Sequence, residues 1–311
     1  MKKKTLIILS SGLFVFLIGG ILFVVGMTNL KWEWTKLDIT EISYSTWSQD
    51  SAEEFTSVKV DSNLNINISH SDDEIASIEY FYNDDITYDF VVKDGVLNIT
   101  LKHNWSWSMY PFHDLKLSQA ITKVSLPKSF DGDISAKINN QKFKVLDGDY
   151  GDINIDSKNS KTNIENINAI NIDYTSNNSD LNLYNSTISN SIDVDISNGD
   201  FDISNTDTNT LNINSKNNTT KLSSVVAPKT TMVLKNSGLR VSGSGLDTND
   251  FDLDLNNSSA KTILKGFKQD YKIELTQKNS NMHIENQSPT GYTRTLKITA
   301  NNSSGNFDFK N

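Results

Sequence analysis

Nine stretches after residue 130 alternate apolar with polar side chains and then break on Asn, Ser or Gly: Ile134-Ser-Ala-Lys-Ile138, Ile153-Asn-Ile155, Ile170-Asn-Ile172, Ile192-Asp-Val-Asp-Ile196, Leu211-Asn-Ile213, Met232-Val-Leu234, Phe251-Asp-Leu-Asp-Leu255, Tyr271-Lys-Ile-Glu-Leu275 and Leu296-Lys-Ile298. They recur about every 20 residues, and most are followed by a shorter pair such as Leu181-Asn-Leu183, Phe201-Asp-Ile203, Met282-His-Ile284 or Phe307-Asp-Phe309. A fixed period of this size means that each repeat is one coil, able to bury its apolar side only by stacking on its neighbours. Alternation with period two puts Ile, Leu, Val and Phe on one face of a strand and Asp, Asn and Lys on the other, so the coils are β and not helical. The turns agree. Of the 38 Asn residues, 31 lie from Asn139 onward, and Asn tolerates the left-handed backbone of a tight corner. Stacked corners can also join their amides into ladders along the axis.

The sequence thus predicts an all-β chain: a parallel β-solenoid of about nine coils over 131–311, with a β-rich cap over 55–130. Cap strands are expected at Val58–Val60, Leu64–Ile68, Ile78–Tyr80, Thr87–Val91, Val96–Ile99 and Ile121–Leu126. Lys93-Asp-Gly95 reads as a hairpin turn. The cap hides strand edges that an open solenoid end would expose. At the other end the last coil itself, or a partner, has to do so, which makes self-association through the final coil an expectation.

Ahead of the cap, Lys2-Lys-Lys4 precedes an uncharged, mostly apolar run from Leu6 to Met27, long enough to cross a bilayer as a helix. The expected order is a cytoplasmic tail (1–5), a transmembrane helix (6–27), a stalk (28–54), then the cap. Basic residues stay inside, so the C-terminal domain is expected outside the cell membrane. A cleaved signal peptide is the competing reading, but the apolar run exceeds the usual ~7–15 residues and lacks an Ala-x-Ala site. Trp32 and Trp34 suit the headgroup layer. The absence of cysteine excludes disulfides and a lipid-modified cysteine, and fits a bacterial envelope better than a eukaryotic secreted domain.

The segments Val92-Lys-Asp-Gly-Val-Leu-Asn-Ile99, Val124-Ser-Leu-Pro-Lys-Ser-Phe130 and Gly151-Asp-Ile-Asn-Ile155, behind a single membrane helix, resemble the bacterial adhesin-like domain family of unknown function, found in LiaG-type membrane proteins of low-GC Gram-positive bacteria and at the C-terminus of LiaX-type proteins. The resemblance covers the chain from about Phe55. It implies a β-solenoid outside the membrane, often associated with envelope-stress responses, with no catalytic residues to carry over. Gly precedes Asp at the start of few coils, as at Gly151-Asp152 and Gly199-Asp200, a departure from the family's pattern.

Motifs for chemistry are thin. His70, His103, His113 and His283 have no metal-ligand spacing, and no Ser lies in a Gly-x-Ser-x-Gly elbow. Leu126-Pro-Lys-Ser-Phe130 lacks the Thr-Gly and apolar tail of a sorting signal. Asp147-Gly-Asp149-Tyr-Gly-Asp152 gathers three carboxylates that could bind calcium, but without EF-hand spacing a plain Asp-Gly turn is preferred. Outward pairs such as Asp193/Asp195 and Asp252/Asp254 recur in calcium-dependent polysaccharide-cleaving β-helices, yet Arg240 and Arg294 are the only arginines. No cofactor is expected. One segment stands out for binding, His103-Asn-Trp-Ser-Trp-Ser-Met-Tyr-Pro-Phe-His113, in which Trp105 and Trp107, then Tyr110 and Phe112, alternate with other residues. Exposed, they mark a contact site; otherwise they pack over the cap. The net charge of −9 disfavours nucleic acid and anionic polymers. The expectation is a non-catalytic, membrane-anchored module for binding or assembly at the cell envelope, with a protein or glycan partner close to the membrane, accessory to envelope-stress sensing. The alternatives are a polysaccharide-active enzyme and a surface adhesin.

Overall fold

The computed structural model describes residues 3–33, 43–50, 53–103 and 119–311. Helix α1 (Lys3–Asn29) includes an 18-residue window, Gly12–Asn29, apolar enough to cross a membrane. At ~1.5 Å per residue its length suits a bilayer core of ~30 Å.

The remainder is strand: β1 (Ser43–Ser48), β2 (Ser57–Ser62), β3 (Asn65–His70), β4 (Ser77–Tyr82), β5 (Ile86–Lys93), β6 (Val96–His103), β7 (Ile121–Leu126), β8 (Asp133–Asn139), β9 (Lys142–Asp149), β10 (Asp152–Lys158), β11 (Lys161–Asn177) and β12 (Asp180–Tyr184). It continues through β13 (Thr187–Ser197), β14 (Phe201–Lys216), β15 (Thr219–Val226), β16 (Lys229–Lys235), β17 (Gly238–Asp247), β18 (Asp250–Asn256), β19 (Ser259–Lys265), β20 (Tyr271–Lys278), β21 (Asn281–His283), β22 (Arg294–Asn301) and β23 (Ser304–Lys310). Successive strands stack in parallel into two rows. One runs β6-β2-β8-β10-β11-β13-β14-β16-β18-β22-β20. The other runs β7-β3-β9-β11-β12-β14-β15-β17-β19-β23-β21. Strands β11 and β14 turn a corner and serve both rows. Each of the nine predicted stretches after residue 130 lies in a strand of the first row, so the chain is the parallel β-solenoid that its alternation predicts.

The register explains the core. Ile134, Ile153, Ile172, Ile192 and Leu211 are register partners coil after coil and all are fully buried. In the second row Ile66 and Phe143 are such partners, as are Leu181 and Phe201, with the buried Thr162 between the two pairs. Each such side chain stabilises the fold by about 1.5–3 kcal/mol. Ile170 is an exception to the predicted pattern: it sits at the corner inside β11, 51% exposed.

At the corner after each first-row strand from β8 onward an Asn takes the left-handed backbone: Asn140, Asn159, Asn178, Asn198, Asn217, Asn236, Asn257, Asn302 and Asn279 all have φ between 48 and 61°. Its backbone N–H bonds to the next coil, as from Asn159 to Asn177 O at 3.1 Å and from Asn217 to Lys235 O at 3.0 Å. Side-chain amides link Asn140, Asn159 and Asn178 at 3.0 and 3.1 Å, and Asn198, Asn217 and Asn236 at the same distances. The next residue is a buried Ser in most coils, whose hydroxyl accepts from the preceding coil, as Ser179 does from Ser160 N at 2.9 Å. Gly199 replaces this Ser because its Cβ would lie 1.9 Å from the Ser179 carbonyl oxygen.

Both ends depart from a simple helical winding. Strands β2 and β3, first of the parallel coils in sequence, form the second layer, between the β6/β7 coil and the β8/β9 coil. At the far end β22 and β23, last in sequence, form the second-to-last layer, between β18/β19 and β20/β21. The last coil in sequence is therefore not the open end, and the expected self-association through it has no free edge to use. The outer edge belongs to β20 and β21, where Ile273 and Gln287 exchange backbone hydrogen bonds of 2.9 and 3.1 Å. The cap is correspondingly small: β5 pairs antiparallel with β6, β4 pairs antiparallel with β7, and β1 pairs with β4. The Asp94-Gly95 hairpin turn has positive φ at both residues, 52 and 75°, as a two-residue β-hairpin requires. The segment expected as a stalk contains β1, and most of the expected cap continues the solenoid in register.

Candidate binding surfaces

The three carboxylates considered for calcium start three separate ladders. Asp147 accepts from Asn166 Nδ2 at 3.0 Å, Asp149 from Asn168 Nδ2 at 2.7 Å and Asp152 from Asn171 Nδ2 at 2.8 Å. Each is thus held by an amide of the next coil. No three His, Cys, Asp or Glu side chains converge as metal ligands among the described residues. The outward pair Asp193/Asp195 is engaged alike by Asn212 and Asn214, at 2.7 and 3.2 Å. Asp252 instead pairs with Lys297 at 3.0 Å. The Gly-Asp starts have a related role, since Asp133 accepts from Asp152 N at 2.8 Å and Asp180 from Asp200 N at 2.9 Å. Carboxylates on this fold tie coil to coil.

At the cap, strands β1, β4 and β5 bring Trp47, Tyr80, Tyr82, Tyr88 and Phe90 together. Tyr80 packs against Tyr88 and Phe90 with ring centroids 4.7 and 5.0 Å apart, Trp47 lies 6.1 Å from Phe90, and Tyr82 stacks on Tyr88 at 6.1 Å. Aromatic pairs at such separations contribute about 0.5–1.5 kcal/mol beyond their burial. The rings cover the end of the core where another coil would otherwise stack, and Tyr82 remains 48% exposed. The Tyr88 hydroxyl donates to Phe81 O and accepts from Asn83 N. Burial pushes its pKa up to about 12, so it stays a neutral donor. Tyr82 Oη donates to Asp84 at 3.0 Å, which raises its pKa. The sequence carried a signal for this cluster in the equal parity of Tyr80/Tyr82 and Tyr88/Phe90. The predicted binding residues Trp105, Trp107, Tyr110 and Phe112 lie outside the described residues.

Near the opposite end Arg294 Nη1 donates to Asp247 Oδ1 and Thr248 O, both at 2.9 Å, and to Lys265 O at 3.2 Å, while its guanidinium lies 5.7 Å from the centre of the Tyr271 ring. Burial alone would raise the Asp247 pKa, but hydrogen bonds from Lys265 and Arg294 overcome it and hold the carboxyl below its ordinary value. One of the two arginines is therefore a rivet that fixes the inserted coil. His70 lies beside Tyr150 at 4.9 Å between centroids, and burial lowers its pKa, partly offset by Asp149.

No curated protein matches the sequence. Among solved structures, a candidate adhesin from Parabacteroides merdae ATCC 43184 is 14% identical with a TM-score of 0.47, covering 88% of this chain and 98% of that one. A candidate adhesin from Bacteroides fragilis NCTC 9343 is 14% identical, TM-score 0.42, over 86% and 97% of the two chains. A candidate lipid binding protein from Parabacteroides distasonis ATCC 8503 is 10% identical, TM-score 0.40, over 86% and 97%. The decisive likeness is to a family: residues 55–238, which contain the Gly-Asp coil starts and the Asn corners, match Toastrack DUF4097. With more than half its length so matched, the chain belongs to the Toastrack DUF4097 family.

Proposed function

We propose that the protein is a membrane-anchored binding module of the bacterial cell envelope, with its solenoid outside the membrane of a Gram-positive-type cell and no catalytic role. The observation that carries this reading is the joining, in one chain, of an apolar helix long enough to span a bilayer to a rigid solenoid whose cap bears a partly exposed aromatic cluster. Aromatic rings with polar edges suit contact with sugars, peptides or other protein surfaces, where one side is apolar and the other wet. The polysaccharide-cleaving alternative gains no support from the outward carboxylates, which are engaged by Asn and Lys of neighbouring coils. A role as an accessory to envelope-stress sensing rests on the resemblance to LiaG-type and LiaX-type proteins.

The test is topology and binding together. Protease added to intact cells should remove a C-terminal tag while an N-terminal tag survives, and crosslinking on those cells should capture an envelope component that Tyr82→Ala or Trp47→Ala reduces. Protection of the C-terminal tag would overturn the reading. If deletion of the gene leaves the transcriptional response to cell-wall and membrane antibiotics unchanged, the sensing role fails while binding can stand.

A further inference from the structure

We propose that the Asn-Ser corner of the C-terminal half, together with the cations that flank it, is a binding site for an acidic polysaccharide lying along the solenoid axis. This deepens the reading as an envelope-binding module and rests on it.

Lys221, Arg240 and Lys261 are register partners on three successive parallel strands, β15, β17 and β19. Neighbouring strands are ~4.8 Å apart, so three like charges follow one another along the axis. Like charges directly opposite one another on paired strands oppose folding. Some charged side chains in such rows elsewhere on the solenoid are paired or bridged, as in Asp252–Lys297 and Asp193–Asn212. In contrast, none of these three forms an ion pair within 4.0 Å among the described residues, although Asp202 is the register neighbour of Lys221. The row ends at Asn306, the partner of Lys261. Across the corner, Lys216 and Lys235 are register neighbours as well, and both are exposed.

At this corner, which joins the strands that carry these cations, lies a shallow open space of about 830 Å³ bordered by Gly238, Ser259 and Ser304 and by Asn236, Asn257 and Asn302. Its amides and hydroxyls are the donors and acceptors that sugar hydroxyls require. Gly238, where other coils place Thr219 or Ser259, opens the wall beside Arg240. Polar groups suited to sugars, cations on the strands before and after the corner, and a period of one coil match a linear polymer with one oxyanion per sugar or two. A pyranose unit in an extended chain advances by nearly the same distance as one coil. The net negative charge of the whole chain does not exclude this, because many carboxylates lie in earlier coils, at Asp156, Asp173, Asp193 and Asp195, and of those in the coils of this corner Asp252 is paired with Lys297. Short-range recognition depends on the local field, screened within about a Debye length of ~8–10 Å.

The experiment uses the full chain in detergent micelles, titrated by fluorescence anisotropy with labelled polygalacturonate (carboxylate), phosphomannan (phosphate), neutral mannan and single-stranded DNA. The first two probes separate the carboxylate and phosphate sources of the anion. We expect binding of one or both acidic glycans, weakened by salt, with neutral mannan and DNA at least tenfold weaker. The K221Q/R240Q/K261Q variant should bind at least tenfold more weakly, with an unchanged or higher Tm because repulsion is relieved. K137Q/K142Q/K161Q, which removes the same charge near the other end, should bind as the parent does. Equal loss in both triple variants, equal binding of mannan, or preference for DNA would overturn the proposal. Absence of glycan binding by a chain that still crosslinks to the envelope through its aromatic cap would overturn this site and leave the envelope-binding reading intact.

Discussion

Single residues decide where the chain turns. The corner Asn residues are needed for their backbone as much as their amides, because a left-handed conformation costs most residues about 1–2 kcal/mol. Asn178→Ala should therefore lower stability by about 1–2 kcal/mol, and Asn178→Gly should recover part of that loss; chemical denaturation measures both. Gly199→Ala is a harsher change, since the added carbon would meet the Ser179 carbonyl at 1.9 Å, and a loss of about 1–3 kcal/mol is expected from overpacking. His70 gives the fold a pH dependence. Its pKa in the folded protein lies below the ordinary 6.5 because the ring is buried. As pH falls the unfolded chain takes up this proton first. The contribution of neutral His70 is thus complete above about 6.5 and is lost as pH drops toward the lowered folded value. Melting temperature should fall through that window, and His70→Gln should flatten the decline.

At the scale of elements, the rungs are nearly interchangeable in the middle and specialised at the ends. Ile192 is fully buried between Ile172 and Leu211, so Ile192→Ala should cost about 2–5 kcal/mol through the cavity it leaves. Arg294→Ala removes charge-assisted bonds that hold β22 to Asp247 and Thr248, with an expected loss of about 1.5–3 kcal/mol. The strands were legible in the sequence because alternation depends only on a strand's own residues. Ile153-Asn-Ile155 or Phe251-Asp-Leu253 points its apolar side inward whichever strands lie beside it. The use of the carboxylates was not legible, because Asp147, Asp149 and Asp152 meet Asn residues 19 positions away, and that pairing exists only once the coils are stacked. The aromatic cluster was half legible: Tyr80/Tyr82 and Tyr88/Phe90 share a parity and Lys93-Asp-Gly95 marks the hairpin of β5 with β6, but nothing local indicates that β4 pairs antiparallel with β7.

The coils form a stack in which chain order and layer order disagree at both ends. Neighbour contacts dominate such folds, and a strand paired on both edges frays less than one paired on a single edge. Placing the first and last coils of the sequence one layer inside the ends leaves hairpin-like segments as covers: β4 and β5 at one end, β20 and the Ile284–Thr293 connection at the other. No sequence pattern distinguishes this from simple winding, because Leu296-Lys-Ile298 would stack equally well as the outermost rung. The arrangement also pairs β2, the first parallel coil strand after the apolar helix in sequence, on both edges, with β6 and β8. Native-state hydrogen exchange resolved to peptides tests the layer order most directly. Amides of Arg294–Asn301 should exchange more slowly than those of Tyr271–Lys278 despite lying nearer the chain terminus. Faster exchange in Arg294–Asn301, fraying inward from the C-terminus, would contradict it.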